Sequence, residues 1–165
     1  MAESTIVKTK RDGTLTFSDN GAASSYIVAF EAGDLSITVA GRTVSLYLDR
    51  GVMSDPPAIR YGDDQPMSGS FTCQLRDATD AATETILDIL TQGGHVASTW
   101  VSTGGANAEV FTVDLTWTIE GTDHGDAADH TIVLKHCYVT GSVADGDPGT
   151  VSVTFTSYDL YPTVT

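Results

Sequence analysis

Apolar residues recur at helical spacing in one stretch of the chain, Asp77–Gly94, which reads DATDAATETILDILTQGG. Ala82, Ile86, Ile89 and Leu90 fall three and four apart, and Leu87 widens the stripe. Asp77 or Thr79 can accept from a free first-turn amide, and Asp80 and Glu84 place negative charge where the helix dipole favours it. Gly93 can take the left-handed conformation that ends a helix. The spacing predicts one helix over about residues 79–92. A helix of about three turns does not hold in water unaided. It is therefore expected to lie on a sheet, as a lid over a β-core.

Elsewhere the period is two. Gly33–Gly51, GDLSITVAGRTVSLYLDRG, is read as a hairpin turning at Gly41. Leu35, Ile37 and Val39, then Val44, Leu46 and Leu48, form its apolar side; small hydroxylated residues form the other. Tyr26–Phe30, Gly69–Leu75 and His95–Ser102 read as shorter strands, the last containing Trp100. Glu109–Glu120 alternates Phe111, Val113, Leu115, Trp117 and Ile119 against Thr112, Asp114, Thr116 and Thr118. Thr131–Thr140 is apolar on both sides in places, as a central strand is, and Thr150–Tyr158 alternates again. The sum is about eight to ten strands and one helix, without internal repeats. The fold class expected is mainly β: a β-sandwich or partly closed barrel with one flanking helix, in a single domain over residues 1–165.

The stretch from Asp49 to Ser68, DRGVMSDPPAIRYGDDQPMS, breaks the pattern and holds three of the five prolines. Prolines 56, 57 and 66 oppose ordinary sheet pairing. A connection of about 20 residues is long for a compact domain and points to an interaction loop, with a passive insertion as the alternative. Its candidate contact residues are Arg50, Val52, Met53, Pro56, Pro57, Ile59, Arg60, Tyr61 and Met67.

Charge narrows the function. Among 165 residues, 22 Asp and Glu face 8 Lys and Arg, a net charge of −14. Direct duplex binding needs cations to displace phosphate counterions, so it is excluded as the main activity. No run of about 18 apolar residues is present, and MAESTIVKTKRDG lacks the apolar core of a secretory signal. Cys73 and Cys137 lie within predicted strands, so buried free thiols are expected.

The densest chemistry is Thr122–His130, TDHGDAADH, where carboxylates and imidazoles could hold a divalent ion or simply make a solvated acidic turn. It matches neither an EF-hand nor HExxH, and the chain has no GxSxG elbow, Walker loop or GxGxxG. Arg50, Arg60 and Arg76 are too dispersed for a phosphate clamp. No catalytic residue, metal or cofactor is assigned, and the chain is not read as an enzyme.

The order of elements does suggest a family. FEAGDLSI, the long proline-containing loop, and PMSGSFTCQLRD leading into a helix together resemble the tail tube proteins of long-tailed (siphovirus-like) bacteriophages. The resemblance covers most of the chain and is one of pattern and local phrasing. It implies a structural virion protein assembled in the host cytoplasm. Copies form hexameric rings, and stacked rings enclose a tape measure protein and later conduct genomic DNA without binding it specifically. Tail terminator and distal tail proteins are the further partners, with no membrane. On this reading Ser36, Thr38, Ser45 and Asp49 face the lumen, and the loop at about 49–68 bridges subunits or rings. Two alternatives stand beside it: a non-enzymatic β-sandwich binding or decoration domain, and the tube protein of a contractile injection or secretion system.

Overall fold

A computed structural model describes residues 13–21, 24–28, 34–39, 41–47, 58–79, 82–105, 107–122 and 127–165. The strands are β1 (Gly13–Ser18), β2 (Ser25–Ile27), β3 (Ser36–Thr38), β4 (Gly41–Tyr47), β5 (Ala58–Gln65) and β6 (Met67–Gln74), then β7 (Val113–Ile119), β8 (His130–Ala144), β9 (Thr150–Ser157) and β10 (Thr163–Val164). Two short helices, α1 (Ile86–Thr91) and α2 (Gly94–Thr99), lie between β6 and β7. One antiparallel sheet runs β2-β1-β7-β8-β9-β6-β3, with β10 beside β8, while β4 and β5 form a separate two-stranded ribbon. The class is mainly β, as the alternation predicts, and the sheets do not close into a barrel.

β8 holds the large sheet together. Its first half pairs with β7, from Ile119↔His130 to Val113↔Cys137. Its second half pairs with β9, from Cys137↔Ser157 to Ala144↔Thr150. Between the halves the β7 register shifts, and His136 takes φ 52°, the left-handed region. The irregularity is pinned on both sides. The His136 amide donates to Asp114 Oδ1 at 3.0 Å, and the Ser157 hydroxyl donates to the Lys135 carbonyl at 2.7 Å. The bend folds the sheet over itself. Phe17 of β1 and Phe71 of β6 are far apart in the strand order, yet their ring centres are 5.9 Å apart, and Phe71 meets Phe155 at 6.5 Å. Leu15, Phe17, Val113, Leu115 and Leu134 from one half thus share a core with Phe71, Cys73, Val151, Val153 and Phe155 from the other.

The helical lid is broken where one helix is expected. Thr85 caps α1 by accepting from the Asp88 amide at 3.2 Å. Gln92 ends it at φ 54°, and the Gly93 amide returns to the Asp88 carbonyl. The chain then restarts as α2 over residues read as a strand. The β-branched composition of 95–102 favours a strand, but Val96 and Trp100, four apart, are both buried as a helix face requires. Ser98 and Thr99 stay helical by returning their hydroxyls to the His95 carbonyl. Ile86, Ile89, Val96 and Trp100 are buried, and Leu90 reaches the sheet where Gly141 leaves no room for a Cβ.

The predicted hairpin over Gly33–Gly51 does not form. β3 pairs with β6, Ser36↔Ser70 to Thr38↔Ser68, while β4 pairs with β5. Gly41, at φ 66°, redirects the chain between two sheets rather than turning one strand back on the other. β3 can approach β6 because Gly69 stands where a Cβ would strike the Ser36 carbonyl and the Phe155 ring. The stretch predicted as loop also changes character: residues 58–65 are strand, and Pro66 is the single residue between β5 and β6.

Phe71→Ala should lower unfolding free energy by about 3–5 kcal/mol, read by chemical denaturation, because the ring is buried between Phe17 and Phe155. The thiols give a second check. Both cysteines are free and buried, and burial pushes Cys73 up to about 11 and Cys137 up to about 12. At pH 8 both should resist maleimide in the native protein and react fully in denaturant; fast labelling without denaturant would contradict this core.

Candidate assembly surfaces

Four strands, β3, β6, β9 and the second half of β8, present one face to the core and one to solvent. The inward side chains are Phe71, Cys73, Val151, Val153, Phe155, Cys137 and Val139. The residues alternating with them form four cross-strand rows; the last, Gln74, Thr150 and Ala144, is mixed, and the other three are hydroxylated throughout. Thr38, Ser68, Thr156 and Tyr138 make one; Ser36, Ser70, Thr154 and Thr140 make the next; Thr72, Ser152 and Ser142 make the third. Every member of these three rows bears a hydroxyl and none a charge. The Thr140 and Thr154 hydroxyls lie 2.8 Å apart, a cross-strand bond of the kind that stabilises sheet pairs. Beyond the end of β3, Asp34 Oδ1 accepts from the Thr72 amide at 3.0 Å. Within the hydroxyl rows there is no acid, although the chain carries −14; Asp34 stands at their edge.

Among the described residues, both borders of the four-stranded piece are open. Among the described residues, nothing pairs with the side of β3 away from β6. Residues Tyr138–Ala144 of β8 pair only with β9, since β7 reaches no further than Cys137. Unpaired edges are templates for another strand.

The β4–β5 ribbon is a third surface. Val44↔Tyr61 and Leu46↔Ile59 sit directly opposite one another, so these four side chains share a face. All four are exposed: Val44 56%, Leu46 65%, Ile59 68% and Tyr61 75%. On the other face Ser45 lies opposite Arg60, whose guanidinium is 5.3 Å from the centre of the Tyr47 ring. At the base, Arg42 Nε meets Asp64 Oδ1 at 2.6 Å. Seven residues at about 3.4 Å each make an arm roughly 24 Å long. A lone two-stranded hairpin is marginal in water, and this one also exposes an apolar face.

A groove of about 420 Å³ beside α2 is lined by Val96, Ala97, Trp100, Ala108, Glu109 and Phe111 among others. A cavity of about 510 Å³ at the base of the arm is lined by Val39, Arg42, Tyr61, Leu160 and Tyr161.

The site residues expected from sequence are distributed unevenly over these surfaces. Ser36 and Thr38 lie on the hydroxyl face. Ser45 does not join them; it is on the arm, because the hairpin that grouped the three does not exist. Ile59, Arg60 and Tyr61 are on the arm as exposed strand residues rather than in a loop. Met67 is fully buried, paired with Ser157 at the start of β6, and cannot make an external contact in this fold. Asp49, Arg50, Val52, Met53, Pro56 and Pro57 lie outside the described residues. Sequence reasoning placed Val44 and Leu46 on a core face and did not join the hydroxyl rows. The alternation in 69–75 and 150–158 was the available signal; the register that joins them was not.

In the acidic stretch, Asp129 Oδ1 accepts from the Gly121 amide at 3.0 Å and the Thr122 amide at 3.3 Å. These bonds hold its carboxyl below the usual range. Asp123, His124 and Asp126 lie outside the described residues, and among those described no group of three or more His, Cys, Asp or Glu is placed to hold a metal ion.

Leu46→Ser with Ile59→Ser should leave the unfolding free energy of dilute protein within about 0.5 kcal/mol, since both side chains face water. A loss above about 2 kcal/mol would mean that the chain covers its own arm.

No protein-family model matches the chain, and no curated protein matches it by sequence. The fold is similar to a chain of the six-fold symmetrised anti-feeding prophage baseplate, with TM-score 0.60 and 11% identity over 100% of this chain and 97% of that one. It is similar to a chain of the PVC extracellular contractile injection system's sheath–tube complex in the extended state, with TM-score 0.56 and 12% identity over 99% of each. It is similar also to a chain of that system's sheath/tube terminator in the extended state, with TM-score 0.54 and 13% identity over 100% of this chain and 99% of that one. At these identities the shared property is the fold, and it extends over the whole length of the chain.

Proposed function

We propose that this chain is a structural subunit of a phage-tail-like particle and that copies of it close into a ring as part of a tube. The observation that carries this is the four-stranded piece with an apolar inner face, a charge-free hydroxyl outer face and two unpaired borders. Setting the β8 border of one copy against the β3 border of the next satisfies both and extends the sheet. Six copies, the symmetry applied to the anti-feeding prophage baseplate, would give a barrel of roughly 24 strands. Barrels of about 16–18 strands already leave a water-filled channel.

The hydroxyl rows would then line the channel, with Ser36 and Thr38 among them. Such a wall has no cation to hold phosphate and no strong field to retain a charged polymer. It suits a conduit that encloses a tape measure protein and passes DNA or another cargo without binding it. The arm, with Ile59, Arg60 and Tyr61, would contact neighbouring copies, and Arg50, Val52, Met53, Pro56 and Pro57 extend that contact region in sequence. Terminator and distal tail proteins would adjoin the ends. Of the two tube readings, the fold similarity favours a component of a contractile injection system over a siphovirus tail tube. The location is the assembled particle.

Purified protein at rising concentration should form rings or tubes in negative stain, with a matching rise in light scattering. A monomer that persists across salt and concentration would overturn the reading.

A further inference from the structure

Resting on the assembly reading, we propose a register for the junction between copies: β3 of one copy lies along the β8 border of the next with Ile37 opposite Gly141, over Leu90 of that copy's helical lid. Each border leaves inward apolar residues uncovered. On β8, Val139, Gly141 and Val143 stand level with the buried Phe155, Val153 and Val151. Val139 is buried, but Val143 is half exposed. Leu90 of α1 occupies the space over Gly141 and is itself only partly buried. At the other border Leu35 and Ile37 are partly buried, and Val39, next in the alternation, is half exposed. The chain's own β3 does not reach its β8 border, since three strand spacings, about 14 Å, separate them. The β3 of a second copy does.

Faces and backbone restrict the register to even steps. An odd step would turn Ser36 and Thr38 inward and Ile37 out. The ladders joining β3, β6, β9 and β8 are regular, so four strands bring the donors and acceptors of both borders into one phase, which an even step also pairs. The ends of the strands then select among the even registers. Ile37 opposite Val139 would set Val39 against Cys137, where Val113 of β7 already pairs, and would leave Val143 bare. Ile37 opposite Val143 would set Leu35 against Asp145, beyond the end of β8. With Ile37 opposite Gly141, Leu35 meets Val143 and Val39 meets Val139. Ser36 and Thr38 then carry the hydroxyl rows on into Ser142 and Thr140. Gly41, at φ 66°, turns the chain away opposite Cys137, where β7 takes over the border. Pairing two β8 borders would cover Val143 but leave β3 bare.

The test mixes Thr38→Cys in turn with Tyr138→Cys, Thr140→Cys and Ser142→Cys, all in the full chain, at a concentration tested for rings by microscopy, and oxidises each mixture. Cys73 and Cys137 are buried and stay silent. A disulfide needs closely opposed Cβ atoms, so the 38–140 link should exceed the 38–138 and 38–142 links by about tenfold. In parallel, Val143→Ser should fold as the parent does when dilute, yet need roughly fivefold more protein to assemble, because it removes apolar area that the junction covers. A dominant link to 138 or 142, or assembly of Val143→Ser at the parent concentration, overturns the register and leaves the ring reading standing. Links formed by the Thr140→Cys or Ser142→Cys variant alone assign the β8 border to a second β8 and overturn the proposal. Rings without any of these links overturn the border-to-border junction. Neither rings nor links overturns the ring reading with it.

Discussion

The bend in β8 is the constraint on which the rest of the molecule depends. One strand of 15 residues serves two sets of partners, and the change of partner occurs at Lys135–His136. A left-handed residue without a glycine is unfavourable on its own. Here the His136 amide donates to Asp114 in one half of the sheet, and the adjoining Lys135 carbonyl accepts from Ser157 in the other. Without the bend, Phe17 and Phe71 could not meet, and neither half would have a second layer to bury its apolar face. The same bend ends the pairing with β7 and leaves Tyr138–Ala144 with an open border. The feature that completes the core is therefore also the one that exposes an edge.

What the described residues leave uncovered is as ordered as what they bury. The open borders lie on either side of a face that is hydroxylated row by row, and the arm places four apolar side chains in water. Soluble monomers blunt edges with charge, proline or a covering element, and they seldom present such a face. A protein that meets copies of itself has reason to keep both. The fold itself is shared, over the whole chain, with chains of contractile injection particles.

The sequence carried the class and most strands, because period two is strong in 109–120, 131–140 and 150–158. It did not carry partners. Alternation tells which side chains share a face, not which strand lies alongside, so Leu35–Val39 and Val44–Leu48 were joined merely because they are adjacent in sequence. Helix and strand were confused at 95–102, where six helical residues are too few for a period to declare itself among Val, Ser and Thr. Val44 and Leu46 looked like core because an apolar alternation is normally buried; only the solvated ribbon shows that here it is not. Met67 went astray for the opposite reason, since Pro66 made it look like loop when it opens a buried strand.

The arm is rooted at adjoining points in the wall. β4 follows β3 after residues 39 and 40, and β5 runs into β6 through Pro66 alone. Its two legs therefore continue from neighbouring strands that share three residue pairs, whereas β6 and β9 share eight. Tension on the arm enters the sheet at this short seam. The β3 border would yield before the interior does, so a pull on the arm would open the edge of the sheet while the hydrophobic centre stays intact.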